Sequence, residues 1–109
     1  MSINGTYNKD VWMPKLNVPT VDIILSYTYH ALDAAKTDRY GVIELPESIN
    51  LADYEIVELE IADGKPRKIL IRGHYDSSRD LTMAILLRDN RVLTVWSNLK
   101  GDDHKSLRK

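Results

Sequence analysis

Between Tyr54 and Asn98 the chain alternates apolar and polar residues in four runs, separated by short stretches of turn-forming residues. Period-two patterning puts successive side chains on opposite faces of a strand, so few folds other than an antiparallel sheet satisfy four such runs in a row. In the first run, Tyr54–Ala62, Val57, Leu59 and Ile61 fall on one face and Glu58 and Glu60 on the other. Asp63-Gly64-Lys65 then forms a hairpin turn in which Gly64 takes the positive φ. In Arg67–Tyr75, Ile69, Ile71 and Tyr75 oppose Lys68, Leu70, Arg72 and His74. After the turn Asp76-Ser77-Ser78-Arg79, Leu81, Met83, Ile85 and Leu87 alternate with Thr82, Ala84, Leu86 and Arg88. Asp89-Asn90-Arg91 turns the chain again, and Val92, Thr94 and Trp96 alternate with Leu93 and Val95. Short loops between consecutive strands predict a four-stranded antiparallel meander.

The first half is less regular. Residues 1–20 hold Gly5, Pro14 and Pro19 among polar residues and show no sustained period, which predicts an N-terminal arm pinned by Trp12 and Met13. Val21–Leu25 is a short apolar run that suits a strand or a helix entry. A helix is expected from Ser26 or Thr28 to Arg39, capped by one of those hydroxyls. Leu25, Tyr29, Leu32, Ala35 and Tyr40 would form its apolar stripe, with Gly41 ending it. Val42–Pro46 reads as a short extended piece and Glu47–Asp53 as a connector. The resulting expectation is one α+β domain over residues 21–109, preceded by the arm. Its helix packs on one face of the meander and leaves the other face open. That open face would carry Lys68, Arg72, His74, Thr82, Arg88, Thr94, Trp96 and Asn98.

Several function classes are excluded at this point. There is no cysteine, so neither disulfides nor thiolate metal sites exist. No histidine pair has metal-ligand spacing, and no glycine-rich phosphate loop, dinucleotide fingerprint or nucleophile elbow is present. The expectation is therefore no cofactor and no metal. No apolar run approaches membrane-spanning length, and Met1–Asp10 has no signal-peptide character, so a cytoplasmic location without membrane association is expected. Net charge is −1, but residues 1–64 carry −7 and residues 65–109 carry +6. Such asymmetry fits either two halves that attract each other within the fold or a basic face that meets a polyanion.

Three histidines are the acid–base candidates. His74 shares a strand face with Arg72, about 7 Å away. An imidazole beside a guanidinium suits RNA cleavage by the 2′-OH, where one group moves protons and the other stabilises the phosphorane. An ordinary surface His and Arg beside a turn fit the same residues. His30 faces away from the helix stripe, with Asp33 one turn on to orient it, or is simply a solvated side chain. Trp96 would stack a base or fill core, and Thr94 and Asn98 would donate to phosphate or serve as strand and turn residues. Arg88 and Lys68 add charge to the face. The tail, with Lys100, His104, Lys105, Arg108 and Lys109, would clamp a backbone or end the chain in solvent.

The segment Ser26-Tyr27-Thr28-Tyr29-His30-Ala31, opening a helix, resembles the His-Ala helix entry of RelE-like domains in the barnase–EndoU–colicin–RelE group of ribonucleases. Thr94-Val95-Trp96 is similar to that group's closing strand, and the resemblance covers about residues 23–98. It implies a helical part packed on a four-stranded antiparallel sheet whose open face holds RNA. His30 would be acid or base, Arg72 or Lys68 the phosphate stabiliser, and Thr94 a backbone contact. The chain departs from the group in not being basic overall and in its acidic first meander strand. The expected function is a metal-independent endoribonuclease of toxin or phage-effector type. The alternative is a non-enzymatic accessory protein that binds RNA or a protein partner such as an antitoxin or host target.

Overall fold

The computed structural model describes residues 5–8 and 22–101. Along the chain lie β1 (Gly5–Asn8), β2 (Asp22–Ile24), β3 (Ser26–Tyr27), α1 (Tyr29–Lys36), β4 (Ser48–Asn50), a 3-10 turn (Leu51–Asp53), β5 (Glu55–Ala62), β6 (Lys65–His74), β7 (Arg79–Leu86) and β8 (Arg91–Leu99). The expected α+β fold with a four-stranded antiparallel meander is corrected by this arrangement. The described chain is mostly strand with a single α-helix, and it forms two sheets. The larger has six strands in the order β1-β5-β6-β7-β8-β3, and the smaller pairs β2 with β4.

The larger sheet outgrows the meander at both ends. Gly5–Asn8, within the expected arm, pairs antiparallel with Glu58–Ile61 of β5. At the far edge Ser26 and Tyr27 run parallel to Arg91 and Val92, which makes the sheet mixed. Residues 22–27 are one extended run shared between the sheets. Asp22–Ile24 pairs with β4, the Leu25 N–H donates to the Glu47 carbonyl, and the Ser26 N–H donates to the Asn90 carbonyl. Trp12 and Met13 lie outside the described residues.

Three register shifts interrupt the sheet: Arg67 is the extra residue in β6 between the Glu60–Lys68 and Ile61–Pro66 pairs, and the other two break the period-two pattern of core side chains. Ile56 pairs with Ile71 and Glu58 with Leu70, so Val57 is the extra residue in β5. Ala84 pairs with Thr94 and Ile85 with Val92, so Leu93 is extra in β8. As a result Val57 leaves the face of Leu59 and packs with Leu70, Ala84 and Trp96 on the other side. Val92 moves the opposite way, into the main core with Ile69, Ile71, Met83 and Ile85. The first turn has Asp63 and Gly64 both at positive φ between the paired Ala62 and Lys65, which suits an Asp-Gly type I′ turn.

Helix α1 is shorter than expected, and of its expected stripe Leu25 and Ala35 reach the core while Tyr29 and Leu32 do not. Thr28 is its N-cap, accepting from the Ala31 N–H at 3.0 Å. Its hydroxyl also donates to the Leu93 carbonyl at 3.0 Å, while the Thr28 N–H donates to the Val92 carbonyl. The helix end is thus docked on the bulge. Ala31 and Ala35 are buried against the core, whereas Tyr29 is 91% exposed and Leu32 40%. The expected stripe through Tyr29 and Leu32 is therefore displaced, because small alanines let the backbone come close to β8. Beyond the helix, the Asp38 carboxylate accepts from the Ser97 N–H at 2.9 Å, from the Ser97 hydroxyl, and from the Tyr40 N–H at 3.1 Å. This pins residues 37–41 along the outer edge of β8. No helix among the described residues is long and apolar enough to cross a membrane.

Candidate functional site

On the sheet face away from α1, antiparallel pairing sets His74 opposite Asp80 and Arg72 opposite Thr82. On the other side of β7, Asn98 lies opposite Asp80 and Trp96 opposite Thr82. Strand alternation thereby gathers Arg72, His74, Asp80 and Asn98 at one corner of the sheet. Lys100, just beyond β8, completes it. Its ammonium donates to Asp80 Oδ1 at 2.7 Å and meets Nδ1 of His74 at 3.1 Å. Arg72 Nε donates to Asp80 Oδ2 at 3.0 Å and its Nη2 to the Leu99 carbonyl at 3.3 Å.

The protonation states follow from these contacts. An ammonium can only donate, so the Lys100 contact is a hydrogen bond where Nδ1 of His74 offers its lone pair. Partial burial pushes the Asp80 carboxyl up. Hydrogen bonds from Lys100 and Arg72, together with their charges, outweigh this and hold it below the ordinary carboxylate range.

Asp80 is the carboxylate on which both cations converge. Asn98 is fully buried, and its Oδ1 accepts from the Thr82 hydroxyl at 2.7 Å while its Nδ2 has no partner among the described residues. The Trp96 indole N–H is also buried and has no partner among the described residues. A guanidinium and an ammonium side by side can both donate to the oxygens of an anion, and that is the ligand chemistry this corner suits. Among the described residues no group of three or more His, Asp and Glu side chains is assembled to hold a metal.

The remaining candidates are dispersed. His30 is exposed on α1, which packs on the opposite face of the sheet through Ala31 and Ala35. The sheet therefore separates it from His74, and the two imidazoles do not form an acid–base pair around one phosphate. Thr94 is half-buried on the corner's face, opposite Ala84. Lys68 shares that face about 13 Å along β6 from Arg72, and its ammonium lies 3.4 Å from Glu60, which also takes Arg67. Trp96 is half-buried rather than free, packing against Val57, Leu70 and Ala84. The expected open face is therefore closed at its centre, where Leu70 and Thr82 are fully buried. Arg88 is exposed in the turn after β7, and His104 and Lys105 lie outside the described residues.

Sequence reasoning missed Asp80 and placed Lys100 only in a basic tail. A signal was available for the first: a turn centred on Ser77 puts residue 80 opposite residue 74. Lys100 becomes visible only once the ends of β7 and β8 are paired. A second feature borders the corner, a groove of about 340 Å³ lined by Asp22, Pro46, Ser48, Ile49, Asn50, Asp53, Tyr54 and His74. Burial pushes the Tyr54 phenol up, and the Asp53 charge beside it adds to the shift. No family model, curated protein or solved structure matches this chain.

Proposed function

We propose that the domain binds single-stranded RNA by its phosphates and does not cleave it. The observation that carries this reading is the corner where the Arg72 guanidinium and the Lys100 ammonium converge on Asp80 with His74 beside them. A phosphate oxygen accepts from such groups, and Arg72 supplies a planar fork for it. Trp96 and Thr94 continue the same face along β8, giving a partly accessible aromatic and a hydroxyl next to the backbone track. With His30 on the other side of the sheet, two-histidine transesterification has no geometric support.

The test is fluorescence anisotropy with a labelled 12-nucleotide RNA, using wild type and Arg72→Gln/Lys100→Gln. Two phosphate contacts on a single strand give a log–log salt slope of about −1.4. The double variant should lose at least tenfold in affinity and most of that slope. Equal binding by both proteins would refute the reading. A parallel incubation with total RNA in EDTA should leave the RNA intact. Cleavage that disappears in His74→Ala would instead restore the ribonuclease reading, with His74 as its single imidazole.

A further inference from the structure

The groove beside the corner has a different character from the corner itself. Its lining combines apolar and aromatic surface from Pro46, Ile49 and Tyr54 with two carboxylates, Asp22 and Asp53, and the polar Ser48 and Asn50. His74 closes the side shared with the corner. The lining comes from β2, β4, the 3-10 turn and the end of β6, held together by the Asp22–Asn50 pairing and by Asn50, whose Oδ1 accepts from the Ala52 N–H at 2.9 Å. Asp22 and Asp53 are both exposed and form no ion pair among the described residues. Tyr54 is held by its ring, which lies over Gly73, and by its backbone N–H, which donates to the Leu51 carbonyl.

We propose that this groove binds an ammonium or guanidinium group carried on an aliphatic stem. The stem lies along Pro46 and Ile49, the face of Tyr54 attracts the cation, and Asp22 and Asp53 accept its N–H groups. Each element has an ordinary physical basis: alkyl stems bury against apolar surface while the head stays solvated, and cations favour tyrosine faces by about 0.5–1 kcal/mol at exposed sites. A volume of about 340 Å³ is ample for an arginine- or lysine-sized group, and the two carboxylates disfavour any anion there. The corner and the groove thus select opposite charges on either side of His74. The same chemistry is offered by a free polyamine and by a basic side chain of a partner polypeptide. The inference does not depend on RNA binding at the corner.

The experiment is a titration of isotopically labelled protein with agmatine, followed by amide chemical shifts. Parallel titrations use N-butylurea as an uncharged stem and a capped Gly-Arg-Gly tripeptide. The expected result is a saturable response confined to the amides of residues 22, 47–54 and 74, from agmatine or the tripeptide and not from N-butylurea. Asp22→Asn/Asp53→Asn should weaken binding at least tenfold, while its other amide shifts report an intact fold. Binding by agmatine alone would assign the site to small polyamines. Binding by the tripeptide, alone or together with agmatine, would show that a basic polypeptide side chain can occupy it. Equal binding by N-butylurea, an unchanged affinity of the double variant, or no saturable response from either cation would overturn the proposal.

Discussion

Gly73 sits in β6 between Arg72 and His74, and its lack of a side chain is required by Tyr54. A Cβ built at this position falls 2.5 Å from Tyr54 Cδ2, 2.7 Å from Cε2 and 3.1 Å from Cγ. Carbon atoms in good contact stand about 3.5–4.0 Å apart, so Gly73→Ala forces the ring outward by roughly 1 Å. Gly73 has no positive φ, so the backbone itself accepts alanine and the reduced freedom of the unfolded chain favours the variant by about 0.4–1 kcal/mol. Against this stands overpacking, which costs about 1–3 kcal/mol where a ring lies against a well-packed core. Tyr54 packs on the main core and follows directly on the 3-10 turn, so it has limited room to move. The net expectation is a loss of about 1–2 kcal/mol, or roughly 5–10 °C in Tm for a chain of this length. Urea denaturation of wild type, Gly73→Ala, Tyr54→Ala and the double variant forms a thermodynamic cycle. Alanine at 73 should be neutral or stabilising once the ring is gone. If Gly73→Ala is as stable as wild type, or costs the same with and without the ring, the close packing of Tyr54 over Gly73 is wrong.

Two further outcomes follow from the hydrogen bonding. Asp38→Ala removes the acceptor of the Ser97 N–H and hydroxyl and of the Tyr40 N–H, and Ser97 is buried. A cost of about 2–3 kcal/mol is expected, read by urea denaturation, with Asp38→Asn retaining part of it; an unchanged midpoint for Asp38→Ala would refute the strapping role. Asp80 titrates below its unfolded value, so its stabilising contribution is complete above the ordinary carboxylate range and is lost as pH falls through the folded pKa. Wild type should exceed Asp80→Asn by up to about 1 kcal/mol at pH 7, and this difference should shrink as pH falls below the ordinary carboxylate range. A gap that stays constant across the acid titration would mean that Asp80 acts by shape and not by charge.

How much of this was legible in the sequence depends on the kind of interaction. The strands of the second half were visible because each side-chain choice carries its own period, and the Asp63-Gly64 turn because its dihedral angles need those residues. The six-stranded mixed sheet was not visible. Gly5–Asn8, Ser26–Tyr27 and Ser48–Asn50 are too short to show a period, and only their partners make them strands. The helix stripe held at Leu25 and Ala35 and misled at Tyr29 and Leu32, because burial there is decided by how closely the backbone approaches β8, which rewards the small Ala31. The corner was half legible. Arg72 and His74 share a face by simple alternation, whereas Asp80 and Lys100 join them only through strand pairing.

The bulge at Leu93 links these observations. Without it, Val92 would lie on the same face as Thr94, Trp96 and Asn98, and one of the two faces would hold the wrong residue. With it, Val92 enters the core beneath α1 while Trp96 and Asn98 stay on the side of Arg72 and Asp80. The extra residue also turns its carbonyl outward, where Thr28 donates to it while capping α1. The single inserted residue therefore does two jobs. It fixes which residues reach the corner, and it sets where the helix docks and hence why His30 is carried to the far side of the sheet. The separation of the two histidines is thus built into the register of β8, and a rotamer change at either imidazole does not bring them together.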